Sequence, residues 1–253
     1  MKCTFLGTGT SMGVPVAGGF GKELVDNDPR NQRTRCSAWV QTENTSIVID
    51  IGPEFRIQSI RSDIQQIDMV LITHEHMDHI AGLDDLRAYN YAQNGPVPLY
   101  TTKKVIRSIE ARFDYMFGEN KYPGSTSLDL NVISEPMQYG DITITPLTYN
   151  HGYIDVTGYR LNDFAYMTDV KRIPDETLEK VKGSKVLVLS GLRWGPEHPT
   201  HLTIPEAVEI ATALKIPKTY LIHMNSYVNH EESNNRLPDH VELAFDQLEI
   251  NIS

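Results

Sequence analysis

The sequence is poor in cysteine, in basic residues and in long apolar runs, and each shortage closes off a class of protein. Cys3 and Cys36 are the two cysteines in 253 residues, so a disulfide scaffold is excluded. A lone bridge is not expected in a chain this large without a secretion signal, and both thiols are read as reduced and buried. Lys and Arg total 23 against 33 Asp and Glu, a net charge of -10. That balance disfavours a protein whose main task is gripping a phosphate backbone, because such binding runs on surplus positive charge. No apolar run approaches the roughly 20 residues of a membrane span. The opening MKCTFLGTGTSMGVPV is broken by glycines before a signal-peptide core can form. The expectation is a cytoplasmic enzyme with no membrane partner. With 40% hydrophobic and 22% charged residues the composition is that of a soluble globular chain, and a length of this order supports one domain over residues 1–253.

What the sequence does contain is a series of short strand-like runs: CTFL, SAWVQT, SIVIDI, DMVLIT, ITITPLTY, FAYMT, KVLVLS and TYLIHM. Between them GLDDLRAYNYAQ, KKVIRSIEARFDYMF, PDETLEKVK and TIPEAVEIATALK carry apolar residues at helical spacing. The pattern predicts a layered α/β protein rather than a bundle or a simple sandwich.

Four of the apolar runs end at a metal-ligand residue type: His74, His151, Asp169 and His223. Ligands gather at strand ends in α/β sheets, where loops converge. The densest cluster is THEHMDHIAGL, in which His74, His76, Asp78 and His79 fall within six residues. In an extended segment residues two apart point the same way, so His74 and His76 can share one ion. Asp78 and His79 come as a helix begins, where Asp78 can cap it and the pair can face a second ion. A zincin helix would need histidine where Asp78 stands, and a zinc finger would need cysteine nearby.

The spacing His74-x-His76-x-Asp78-His79 resembles the H-x-H-x-D-H signature of the metallo-β-lactamase superfamily, and His151, Asp169 and His223 fall in the order of its remaining ligands. The resemblance implies a four-layer αββα metallo-β-lactamase sandwich with two divalent ions per chain. His74, His76 and His151 would hold one, Asp78, His79 and His223 the other, and Asp169 would bridge them. Within the superfamily, FLGTGTSMGVP, NQRTRCSAWV, IDIGPEFR, HMDHIAGLDDLR and HPTHLTIPEA are similar to the PhnP-type cyclic phosphodiesterases. His201 matches that group's catalytic histidine, and Asp78 is counted with the catalytic residues as well as the ligands. Members often carry a cysteine-rich insert that binds a structural zinc. Here VAGGFGKELVDNDPRNQ has no cysteine, and no such zinc is expected.

Two divalent ions can lower the pKa of a shared water to roughly 7 and clamp both sides of an in-line displacement, which suits a phosphodiester. A donor set of imidazole and carboxylate admits zinc or manganese, with iron also allowed. The expected function is hydrolysis of a small or cyclic phosphodiester, with His201 as general acid. Two alternatives stand beside it: a tRNA 3′-processing endonuclease of the same fold, which the acidic balance disfavours, and a non-catalytic metal-binding protein. Nucleic acid is not the expected partner, and a homodimer is left open.

Other residues are assigned more weakly. Asp50 is a candidate to orient a ligating histidine, and Thr8 or Thr10 to touch substrate from a tight turn. Arg87 is a phosphate contact or a solvated helix residue, and His198 is a spare for His201. The aromatic run Phe113, Tyr115, Phe117 and Tyr122 is read as core, with residues 113–125 alternatively forming a lid. His230 and His240 are expected in solvent.

Overall fold

A computed structural model describes residues 1–118 and 121–252, and each of the eight expected runs contains or overlaps a strand. The first sheet takes β1 (Lys2–Gly7), β2 (Ser37–Gln41), β3 (Ser46–Ile49), β4 (Met69–Leu71), β5 (Val97–Thr101) and β6 (Leu128–Val132) side by side in chain order. The second takes β7 (Met137–Tyr139), β8 (Ile142–His151), β9 (Ile154–Leu161), β10 (Phe164–Met167), β11 (Val186–Ser190), β12 (Lys218–Ile222) and β13 (Val241–Leu243), again in chain order. A last strand, β14 (Glu249–Asn251), returns to pair antiparallel with β1. Both sheets are mixed: β3 to β6 and β10 to β13 are parallel, while β1 to β3 and β7 to β10 are antiparallel.

Successive side chains in a strand point to opposite faces, and that period of two divides the core into three. Ile47, Ile49, Met69 and Leu71 enter a layer between the two sheets, where they meet Val186, Val188 and Ile222 of the second sheet. Their neighbours Val48 and Val70 face the other way, onto Phe55, Ile80, Tyr89 and Val105. These belong to α2 (Phe55–Arg61), α3 (Met77–Ile80), α4 (Arg87–Gln93) and α5 (Lys103–Arg112), which follow α1 (Lys22–Asn27) in the chain. On the opposite side Leu187, Leu189 and Leu221 pack onto Val181, Ile204, Ala207 and Ala211, from α6 (Asp175–Val181) and α7 (Ile204–Ala213). The result is the expected four-layer αββα arrangement. Each fully buried aliphatic side chain contributes about 1.5–3 kcal/mol, so strands buried on both faces hold the layers together.

Three expectations change. His230 is buried rather than solvated, because α8 (His230–Asn234) docks its first turn on the 28–33 loop. Its N–H donates to Asn31 Oδ1 at 2.8 Å, and its ring meets Phe245 edge-on. The aromatic run divides: Phe113 enters the core and Phe117 packs half-buried against it, whereas Tyr115 and Tyr122 are exposed. Residues 119 and 120 of the lid segment lie outside the described residues. Asp78 sits inside the first turn of α3, whose N-cap is His76. His240 is partly exposed, and Cys3 and Cys36 are both free and buried. Among the described residues no helix is long and apolar enough to cross a membrane.

Candidate metal centre

The site lies at one end of the seam between the sheets, and both sheets build it. His74 follows β4 by three residues and His151 ends β8; Asp169 comes two residues after β10 and His223 directly after β12. The segment before His74 is tied to the second sheet: Tyr159 Oη donates to Ile72 O at 2.7 Å, and Thr157 N–H to Thr73 O at 3.1 Å. The α3 turn that carries Asp78 and His79 is pressed onto the loop after β3. A Cβ on Gly82 would lie 2.1 Å from Gly52 O, and one on Gly52 would lie 2.5 Å from Asp78 O. Side chains at either place would push α3 away. Asp50, Asp169 and His223 all adopt left-handed backbone, with φ of 60°, 54° and 64°. Non-glycine residues reach that region at a cost of order 1–3 kcal/mol and collect at functional sites. Here the turn aims each side chain inward as its strand ends.

The imidazoles are oriented through their inner nitrogens. Asp50 Oδ2 accepts the Thr73 hydroxyl at 2.8 Å and lies 2.6 Å from His79 Nδ1, while Asp50 Oδ1 accepts Thr73 N–H at 2.8 Å. Because the Thr73 hydroxyl donates to Asp50, it accepts from His74 Nδ1, 3.0 Å away. His151 Nδ1 lies 2.7 Å from the Thr200 carbonyl and donates to it. These bonds leave the Nε2 atoms facing inward. His74 Nε2, His79 Nε2 and His223 Nε2 are buried without a hydrogen-bond partner, which is costly unless something electropositive takes their lone pairs.

Asp169 divides its carboxylate between two imidazole groups. Oδ2 lies 3.9 Å from His74 Nε2 and 3.7 Å from His151 Nε2; Oδ1 lies 3.5 Å from His79 Nε2 and 3.1 Å from His223 Nε2. Asp78 Oδ2 joins the second group at 3.2 Å from His79 Nε2. The His74 and His76 rings stand 4.5 Å apart, edge to face. Three sets of donor atoms, each within 4.8 Å of one another, can hold an ion: Asp78, His79, Asp169 and His223; His74, His76 and Asp169; and His151, Asp169 and His201. The group of Asp78, His79 and His223 with Asp169 is as expected, whereas His151 falls in a set with His201 rather than with His74 and His76, and His201 comes close enough to act as a ligand.

Electrostatics follow from burial and crowding. Burial holds His74 well below the ordinary histidine range, with neighbouring His79 adding to the effect. At Asp169 burial pushes the pKa up, but His223 and His79 outweigh it and hold the carboxylate well below its usual range. Burial also opposes a charged His79, and Asp50, Asp78 and Asp169 overcome it and raise the group well above its usual value. The pocket is a carboxylate-rich cluster of inward-facing nitrogen donors, and imidazole and carboxylate without thiolate suit zinc, manganese or iron.

A model of the β-lactamase superfamily domain matches residues 45–224. The chain belongs to the beta-lactamase superfamily. The fold and the inward-facing donor cluster agree with that membership. A solved structure described as a new diphosphatase of the PhnP family superposes with a TM-score of 0.92 at 36% identity, covering 100% of this chain and 98% of the other. An octanoyltransferase from Porphyromonas gingivalis is 37% identical over 253 residues, 98% of this chain but 51% of that protein. Ribonuclease Z of Staphylococcus epidermidis is 29% identical over 166 residues, 64% of this chain and 49% of the enzyme. The chain thus spans about half the length of these curated relatives.

The remaining candidates separate clearly in this superfamily member. Asp50 lies behind His79, as described. His201 stands over the ligands, its ring 4.5 Å from His151 and stacked 4.7 Å from His223, with Nδ1 buried and unpartnered. His198 is one ring further out, 5.0 Å from His201. Thr8 is a correction: it is fully buried, and its N–H and hydroxyl both donate to Asp246 Oδ1 at 2.9 and 2.8 Å. It anchors the loop instead of facing substrate. Thr10 is buried too, its N–H bonded to Met224 O. Of the two readings of Arg87, the solvated helix residue is the one that holds. It lies at the exposed start of α4 and lines a surface cleft with Arg56, Asp84 and Tyr89, apart from every ligand. The Thr200 carbonyl was missed by the sequence reading, since a backbone acceptor carries no side-chain signature.

Proposed function

We propose that this protein hydrolyses a small or cyclic phosphodiester, with His201 donating the proton that releases the leaving alkoxide. In this reading His74, His76 and His151 would hold one divalent ion, and Asp78, His79 and His223 the other. Asp169 would join them through its two oxygens. When bound, such a pair supplies Lewis acidity that activates water and neutralises charge on the phosphoryl oxygens. Asp50 and Thr73 keep His79 and His74 in the tautomer whose Nε2 lone pair faces inward.

The observation that carries the reading is the placement of His201. Its imidazole stacks on His223 and approaches His151, so it reaches the reacting centre from outside the two main donor groups. Two relatives act on phosphorus–oxygen bonds by name, the PhnP-family diphosphatase and ribonuclease Z, and that supports the substrate class. A net charge of -10 favours a small diester over RNA as partner.

The test uses leaving-group basicity. General acid catalysis is worth about 10²–10⁴-fold and its benefit shrinks as the leaving group becomes less basic. His201→Ala should retain both ions, lose most of its rate on a ribosyl or alkyl cyclic diester, and lose far less on bis(p-nitrophenyl) phosphate. Equal losses on both substrates would make His201 a phosphate-positioning group, and loss of an ion would make it a ligand. One observation favours a second substrate class: the 37% identical relative is named an octanoyltransferase. The substrate panel therefore adds an octanoyl thioester to the diesters and to precursor tRNA. Faster turnover of the thioester than of any phosphodiester would replace the proposal.

A further inference from the structure

His151 and His201 are 50 positions apart, yet one peptide serves both. The carbonyl that takes the His151 Nδ1 proton at 2.7 Å belongs to Thr200, the residue directly before His201. The far side of His201 is held equally well: Leu202 N–H donates to Val170 O at 2.7 Å, and Leu192 N–H to Leu202 O at 2.9 Å. Val170 is itself the neighbour of Asp169. Thr203 then caps α7 through a reciprocal pair with Glu206, and Glu206 reaches Lys171 at 3.1 Å. His201 therefore has little freedom to move without disturbing the Thr200 carbonyl.

The close approach depends on the residue after His151. Gly152 has φ of 67°, and a Cβ there would lie 2.5 Å from Thr200 Cγ2 and 3.1 Å from Thr200 Cβ. A side chain at 152 would push Thr200 outward, which lengthens the bond to His151 and shifts His201 together with it. We infer that Gly152 and Thr200 form a positioning pair that couples the orientation of the ligand His151 to the placement of the proton donor His201. The inference rests on the reading of His201 above, and its chemical content is specific: one carbonyl selects the His151 tautomer with Nε2 open while fixing the reach of the acid beside it.

The experiment compares wild type, Gly152→Ala and the double variant Gly152→Ala/Thr200→Ala. The double variant removes the methyl group responsible for the 2.5 Å contact and leaves the 3.1 Å contact, which a shift of a few tenths of an ångström relieves. Long-range proton–nitrogen NMR spectra of the metal-free protein report which ring nitrogen of His151 carries the proton. Chelator competition reports ion affinity, and the ratio of rates on an alkyl diester and on bis(p-nitrophenyl) phosphate reports the acid. Wild type should show His151 protonated at Nδ1. Gly152→Ala should give mixed tautomers, weaken one ion by about 10–100-fold, and slow the alkyl diester more than the nitrophenyl one. The double variant should recover most of all three.

A wild-type His151 protonated at Nε2 overturns the inference without recourse to any variant, including the case where Gly152→Ala does not fold. Defects that the Thr200 change fails to relieve also overturn it, since backbone conformation at 152 would then be the cause. If His201→Ala itself shows no leaving-group dependence, the reading of His201 fails instead. The tautomer and affinity results then still decide whether Thr200 orients His151.

Discussion

Asp50→Asn tests the arrangement at its most sensitive point. Asparagine keeps the shape and tolerates the left-handed backbone at this position, where φ is 60°, so the main change is in proton bookkeeping. All three contacts to the carboxylate come from donors: Thr73 N–H on Oδ1, and the Thr73 hydroxyl and His79 Nδ1 on Oδ2. An amide offers one oxygen and one NH2 group, so whichever way it turns, a donor faces a donor. With its NH2 toward Oδ2's place, His79 must move its proton to Nε2, the atom aimed at Asp169 and Asp78. That proton occupies the lone pair an ion would use. Changes to such supporting groups typically cost 10–100-fold in metal affinity, or about 1.4–2.8 kcal/mol. The loss should fall mainly on the ion held by Asp78, His79 and His223. The other ion should suffer less, because His74 connects to Asp50 through the Thr73 hydroxyl. Competition titration against a chromophoric chelator resolves the two affinities, and circular dichroism checks the fold. Wild-type affinity for both ions would refute the role given to Asp50. Equal weakening of both would refute the unequal connection.

Asp169→Ala should weaken both ions and abolish turnover while the strands persist, as read by ion content, assay and circular dichroism; two tightly held ions with retained activity would mean that another group bridges. Stripping the ions with chelator should lower the melting temperature, because donors from both sheets converge on them. An ion present at 1,000 times its Kd stabilises by about 4 kcal/mol, and at roughly 2–4 °C per kcal/mol for a chain of this size the expected fall is on the order of 10 °C per ion. An unchanged melting curve would show that the donors are held without metal's help.

The sequence was legible where one residue type served one purpose. Runs such as SIVIDI and KVLVLS read as strands, and the structure places β3 and β11 there with side chains buried on both faces. β9 was missed because IDVTGYRL alternates poorly and contains Gly158, whose backbone lies against Tyr166 O. The seven expected ligand positions stood out because four of the apolar runs lead straight into histidine or aspartate, and the structure brings the other six together around Asp169. His230 was misjudged because its surroundings are polar in sequence, whereas the burial comes from a loop some 200 residues away. Thr8 looked like part of a substrate loop, but its partner Asp246 lies near the opposite end of the chain. Tertiary partners of this kind leave no local trace.

The routes by which the ligands arrive differ in a way that bears on when the site can exist at all. His74, His76, Asp78 and His79 are delivered together, within six residues, while more than half of the chain separates His79 from His223. During synthesis the first four emerge early, as a short exposed chelator with neither a bridging carboxylate nor an opposing imidazole. Closing the long intervening loop requires the second sheet to be in place. The tight site thus comes into being late, and any ion caught by the growing chain is held by half of its final donors. Ion selection is therefore made by the folded molecule and not by the growing chain.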